Sequence, residues 1–315
     1  MGQNHARVLD DLDCLMGVVD INKEMGKKVA KRFGVPCFNN ISELLEKEPD
    51  GVTIATPAST HLEVSQEVID SGINLMVEKP LASNLKDAKE IVELAGKKGL
   101  ILAVGMIERY NPVVSTTKTL LGEGGVGDVI SISSRRVSSF PSRVSDMGVI
   151  HDLAIHDIDV MRYLLDEKVV KVYAIGGPTN DGNVYEDHAN IMIQFANGVT
   201  GVLEVNWLTP HKVRSLSITC SNDYVEVDYI AQSLVVTSSR LTEYDVSNLF
   251  DIPLEHNIRR FSVKRQEPLK REMIDLIEAI KGEHPPLVDG EDGMESMRVV
   301  EAAHRSLREE KEISL

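Results

Sequence analysis

The first third of the chain alternates short apolar runs with helical patterns, and few folds accept that grammar. "LMGVVDI", "GVTIATP", "INLMVEKP" and "GLILAVGM" have strand length, while "NKEMGKKVAKRFG", "THLEVSQEVIDSG" and "NLKDAKEIVELAGKKG" have helical spacing and stop at glycine. Strand, helix and strand in succession imply parallel βαβ units, because a parallel partner is reached only by a crossover. The opening "MGQNHARVLDDL" reads as a helix with no strand in front of it.

From about Val129 the pattern changes. "VISISSRRVSSF", "VVKVYAIGG", "DHANIMIQFANGVTGVLEVNWL", "RSLSITCSNDYVEVDYI" and "SLVVTSS" alternate with period two and carry turn signals such as Asn197-Gly198. This predicts a second domain built on a mostly antiparallel sheet with one open face. The expected boundaries are 1–112 and 113–315, an α/β domain followed by an α+β domain. One helical pattern, from about Val149 to Leu165, interrupts the second domain, and two more close the chain.

The chain has 315 residues, 42% of them apolar, enough for two ordinary cores. A net charge of -15 argues against a nucleic-acid backbone or an anionic membrane surface as partner, since both demand clustered Lys and Arg. Cys14, Cys37 and Cys220 are odd in number and widely spaced, which suggests neither a disulfide framework nor a zinc site. With no leader pattern and no long apolar stretch, a cytoplasmic protein is expected.

In a dinucleotide-binding fold, strand one runs into G-x-G-x-x-G at the start of helix one, and an acidic residue closes strand two about 20 residues later. Gly2 fits the third glycine, and Asp20, closing "LMGVVD", fits the ribose-binding acid. Strand one and two glycines are what such a fold would place ahead of Met1. The expectation is a start assigned about 10 to 12 residues late, the length of a short strand plus its glycine turn.

Two stretches carry chemistry. Glu78-Lys79-Pro80 ends an apolar run where parallel sheets place ligands. A lone lysine is more often a solvated surface group, but the proline stiffens this turn. In "HDLAIHDIDVMRYLL", at 100° per residue, Asp152, His156, Asp159 and Tyr163 share one stripe, opposite Leu153, Val160 and Leu164. A solvated face or a metal site would also explain the stripe. No further cluster with ligand spacing completes a metal shell, so no metal is expected.

These residues resemble the Gfo/Idh/MocA family of NAD(P)-dependent sugar oxidoreductases across essentially the whole chain. "GQNHARVL" is similar to the end of the family fingerprint, "ATPASTH" to its third-strand loop, "EKPLA" to its lysine motif, "GGVGDV" to its domain junction and "GVIHDLAIHDID" to its catalytic helix. The resemblance implies a Rossmann domain followed by an open antiparallel sheet, with Lys79, Asp152 and His156 as catalytic residues. Gly2, Asn4, His5, Asp20, Thr56, Pro57, His61, Glu78 and Lys79 would hold the cofactor, with Glu78 at the nicotinamide ribose. Asp20 favours NAD over NADP, since its carboxylate repels a 2'-phosphate. "ERYNP", "DMGVIHDLAIHDIDV" and "NWLTPHKVRSLSITCSNDYVEVDY" further resemble a branch oxidising UDP-N-acetylglucosamine or its uronate at carbon 3. Arg109, Asn111, Arg143, Lys212 and Arg214 are then the candidates for its substrate. A dehydrogenase of a free sugar or inositol, or a non-catalytic binding protein of the same fold, are the alternatives. The open sheet face implies a homodimer or homotetramer.

Overall fold

Helix α1 (Gly2–Asp11) is followed by β1 (Val18–Val19), α2 (Lys23–Phe33), β2 (Cys37–Phe38), α3 (Ile41–Leu45), β3 (Gly51–Ile54), α4 (His61–Asp70), β4 (Asn74–Glu78), α5 (Leu85–Lys98) and β5 (Leu102–Gly105). The structure is a computed structural model and describes residues 1–140, 147–180, 184–241 and 254–315. Side-chain chemistry fixes the helix ends. Asn22, Asn40 and Asn84 accept the N–H three residues on, capping α2, α3 and α5. Gly34 and Gly99, the glycine stops read from the sequence, close α2 and α5 in the left-handed conformation.

The chain continues through α6 (Pro112–Gly122), β6 (Val129–Ser139), a π-helical turn (Ile150–Ala154) leading into α7 (Ile155–Leu165), β7 (Val169–Gly177), β8 (His188–Phe195), β9 (Thr200–Asn206), β10 (Leu208–Cys220), β11 (Asp223–Asp228), β12 (Ser233–Leu241) and β13 (Leu254–Phe261). Helices α8 (Pro268–Ile280) and α9 (Gly290–Glu309) and strand β14 (Ile313–Ser314) complete it. Contacts divide the chain into two units, 1–110 with 267–298, and 111–266 with 299–315. The stretch 267–298 thus clusters with the parallel-sheet unit. Among the described residues no helix is long and apolar enough to cross a membrane.

In the first unit, β3, β4 and β5 form a parallel sheet, and β1 and β2 form a separate parallel pair. Leu75, Met76 and Val77 are all buried, as are Leu102, Ala103 and Val104, because helices cover both faces of a parallel sheet. Helix α8 sends Leu269, Met273 and Leu276 into a core shared with Val8 of α1, Met76 of β4 and Ala103 of β5.

The second unit is a nine-stranded sheet in the order β13-β12-β11-β10-β6-β9-β8-β7-β14, antiparallel except between β6 and β9. Strand alternation sorts its faces. Ile132, Leu203, Leu216, Val225 and Val236 are buried, while Tyr173, Met192 and Val202, aligned in register across β7, β8 and β9, are exposed. The mostly antiparallel sheet and its open face match the sequence expectation.

Candidate active site

Each unit carries some of the residues singled out from the sequence. In the first, β4 delivers Glu78 and Lys79 at its carboxyl end. Lys79 is half-buried and its bond to Pro80 is cis. Glu78 turns its carboxylate inward: Oε2 accepts the main-chain N–H of Lys79 at 3.2 Å, and Oε1 lies 2.8 Å from His5 Nε2. Gly105, its register partner on β5, leaves the room, since a Cβ there would lie 3.0 Å from Glu78 Oε2. The Glu78 carboxylate is thus held within the unit by His5 and by the Lys79 main chain.

His61 ties two loops of this unit together. Its Nε2 meets the Thr56 carbonyl and its Nδ1 the Pro80 carbonyl, both at 3.0 Å. Burial pushes the imidazole pKa down, so the ring is neutral and has one N–H for the two carbonyls. His61 thus supports the loop instead of facing a ligand, whereas Thr56 and Pro57 are exposed at its tip.

At the end of β1, Asp20 is half-buried, and its Oδ1 accepts the N–H of Asn22 at 2.8 Å, which starts α2. Gly26 on α2 lets the helix press close, since a Cβ there would lie 2.9 Å from Cys37 Sγ and 3.2 Å from Asp20 Cβ. Gly2 and Asn4 are exposed at the N-terminus of α1, where no side chain caps the helix and no acidic residue occupies the first turn. A dinucleotide fits these groups: the uncapped helix end suits a pyrophosphate and the Asp20 carboxylate suits ribose hydroxyls.

Arg109, a substrate candidate, is engaged within the first unit. It is 4% exposed, forks onto Asp292 at 2.8 and 2.9 Å, and also donates to the Leu287 carbonyl. It braces the turn before α6 against the segment leading into α9. Beside it, Tyr110 donates to Asp275 at 2.9 Å, and burial pushes its phenol pKa far up.

In the second unit, Asp152 lies in the π-helical turn and His156 in the first turn of α7. The wider turn breaks the even 100° spacing, so the polar stripe read from the sequence is not a solvated face. Asp152, Asp157 and Asp159 are buried, and His156 is half-buried. Arg136 of β6 forks onto Asp157 at 2.8 and 3.0 Å and fixes the rotation of α7 on the sheet. The start of the π turn is held by Glu186, which accepts the Ile150 N–H at 3.1 Å. A Cβ at Gly148 would fall on that carboxylate, so the glycine makes room for it. Burial pushes the Glu186 pKa up. His151 in the same turn stacks its ring on His304 of α9, and its Nδ1 lies 2.8 Å from His304 Nε2.

Of the remaining substrate candidates, Asn111 is buried, caps α6, and donates to the Tyr229 carbonyl at 3.0 Å, a structural commitment. Arg214 pairs with Arg136 in register and so shares the sheet face that α7 covers. Lys212 is exposed where the β10 register shifts, between Leu208 and Val213. Arg143 lies outside the described residues. Arg136, Asp157, Glu186, His304 and Glu272 were not singled out from the sequence, and only the neighbouring helix motif pointed toward Asp157.

Comparison with known proteins agrees with this layout. Residues 1–106 match the model of an oxidoreductase family with an NAD-binding Rossmann fold, and residues 114–226 match the GFO/IDH/MocA C-terminal domain. The chain is 27% identical over 303 residues to UDP-N-acetylglucosamine 3-dehydrogenase of Acidithiobacillus ferrooxidans, covering 96% of this chain and 92% of that one. It is 26% identical over 329 residues to myo-inositol 2-dehydrogenase of Thermotoga maritima, covering 100% and 96%. A solved structure of the Acidithiobacillus ferrooxidans enzyme, GnnA, superposes with a TM-score of 0.86 at 25% identity, over 98% of this chain and 94% of that one.

Proposed function

The chain belongs to the Gfo/Idh/MocA family of NAD-binding oxidoreductases, and from that premise we propose that it oxidises carbon 3 of UDP-N-acetylglucosamine or of its uronate. The observation that carries the reading is the near full-length similarity to an enzyme of that name, together with a lysine at the end of β4 and the Asp152/His156 pair around the π turn. At the coarser level the chain is a sugar or inositol oxidoreductase of that family.

When bound, NAD supplies the hydride acceptor. Gly2, Asn4, Asp20, Thr56 and Pro57 are the residues that would hold it, and the Asp20 carboxylate disfavours a 2'-phosphate. Oxidation of a secondary alcohol also needs a home for the hydroxyl proton and a donor for the oxygen as it gains negative charge. In this reading His156 takes the proton, Lys79 as an ammonium donates a hydrogen bond to the oxygen, and Asp152 orients His156. Arg214 and Lys212 contribute cations to the diphosphate.

The similarity to an inositol dehydrogenase, at nearly the same identity, supports a second reading in which a free polyol is the substrate. NADH formation with NAD across UDP-N-acetylglucosamine, its uronate, free N-acetylglucosamine and myo-inositol separates the two. Turnover confined to the nucleotide sugars is the expected result, and turnover of myo-inositol alone would replace it with the second reading.

The open sheet face enters the proposal as the contact between copies of this chain. Tyr173, Ile175, Met192 and Val202 form an apolar patch on it, 38 to 56% exposed, and a large exposed apolar patch is expected to bury itself against a partner.

A further inference from the structure

Glu272 of α8 is 2% exposed, and neither of its carboxylate oxygens has a hydrogen-bond partner among the described residues. A carboxylate so placed carries the full cost of desolvation. One other buried orphan lies on the adjoining helix α1: His5 Nδ1, on a ring that is 2% exposed. The core that joins Met273 to Val8 and Met76 packs together α8, α1 and β4, the elements that carry Glu272, His5 and Glu78.

The two orphans are chemically complementary. His5 Nε2 lies 2.8 Å from Glu78 Oε1, and with the Glu78 carboxylate as acceptor the ring proton resides on Nε2. That leaves Nδ1 a bare acceptor. Burial and the neighbouring charges of Glu78 and Asp275 push the Glu272 pKa well up, which favours the protonated carboxyl, a hydrogen-bond donor. A single hydrogen bond, direct or through one water, would satisfy both groups and continue a chain that ends on the Lys79 N–H, which Glu78 Oε2 accepts at 3.2 Å.

We propose that Glu272 is a positioning residue for Lys79, acting through His5 and Glu78. A donor at position 272 holds the His5 tautomer, His5 holds the Glu78 carboxylate, and Glu78 pins the main chain from which the Lys79 ammonium extends. The inference rests on the reading of Lys79 as a catalytic group, but its structural step is measurable without turnover.

The test compares Glu272→Gln, which keeps a neutral donor, with Glu272→Leu, which keeps volume and removes it. Amide hydrogen exchange is followed by NMR on the protein without added substrate. Glu272→Leu is expected to speed exchange at Lys79 by about tenfold or more while Leu75, Met76 and Val77 of the same strand keep their wild-type rates. Glu272→Gln should leave Lys79 unchanged. In turnover assays with NAD, Glu272→Leu should lower kcat by about tenfold with KM nearly constant, and Glu272→Gln should restore it. Unchanged exchange at Lys79 in a folded Glu272→Leu protein would overturn the proposal, and so would equal damage in both variants. If no sugar is oxidised even by the wild type, the catalytic reading fails, while the exchange data still decide whether Glu272 holds the Lys79 main chain.

Discussion

The Arg136 guanidinium is forked onto the Asp157 carboxylate with both side chains at most 2% exposed, one residue away from His156. Strand β6 thereby fixes the rotation of α7, and the Tyr229 ring lies 5.3 Å from the guanidinium carbon on another side. Removing one partner takes the forked counter-charge from the other, buried group. Arg136→Met or Asp157→Leu alone should cost about 3–5 kcal/mol in urea unfolding, whereas the double variant should recover much of that loss. A double variant as unstable as either single one would show that packing, not charge, sets the cost.

The catalytic assignment predicts a specific pattern in turnover. Lys79→Ala and His156→Ala should each lower kcat by about a hundredfold or more, the usual scale for a positioned acid, base or oxygen donor. Thermal melting of both variants near the wild-type temperature would confirm that folding is not the cause. Wild-type kcat in both would remove these residues from the mechanism.

The His151/His304 pair predicts an acid-side dependence of stability. Burial holds the His304 imidazole at about 4, against an ordinary value of 6.5, so the folded protein keeps it neutral. Between those limits the unfolded chain binds a proton that the folded chain does not, and stability falls as pH drops toward 4. The loss is on the order of 3 kcal/mol. Urea melts at neutral and acid pH should show this decline in the wild type and a shallower one in His304→Phe, which keeps a stacked ring but cannot titrate. Parallel declines would place the acid sensitivity elsewhere.

The apolar rows on the open sheet face predict association. Met192→Glu combined with Val202→Lys should shift the native mass measured by light scattering from a dimer or tetramer to a monomer, with the fold retained by circular dichroism. A wild type that is already monomeric at working concentration would refute the expected role of this face.

Much of the architecture was legible because it follows from local patterns. The apolar runs ending at Ile54, Glu78 and Gly105 were parallel strands, and the period-two stretches from Val129 onward were the large sheet. The helix carrying Asp152 and His156 was also legible, but its wide π turn was not, because an even 100° spacing has no signal for a widened turn. What stayed hidden depends on pairings across long separations. Arg109 read as a cation for a diphosphate because Asp292, its partner, lies 183 residues away. Glu272 was not singled out because nothing near it in sequence announces that α8 packs against α1 and β4. Periodicity reports which face of an element is apolar, and it is silent on which distant element covers that face.

The central claim, removal of hydride from carbon 3 of a sugar nucleotide, is tested most directly with UDP-N-acetylglucosamine deuterated at that carbon. The account predicts that the NADH formed in turnover carries the deuterium, that a 3-keto product forms in equal amount, and that both signals collapse in His156→Ala. Turnover that leaves the cofactor free of deuterium, or deuterium transfer undiminished in His156→Ala, would contradict it.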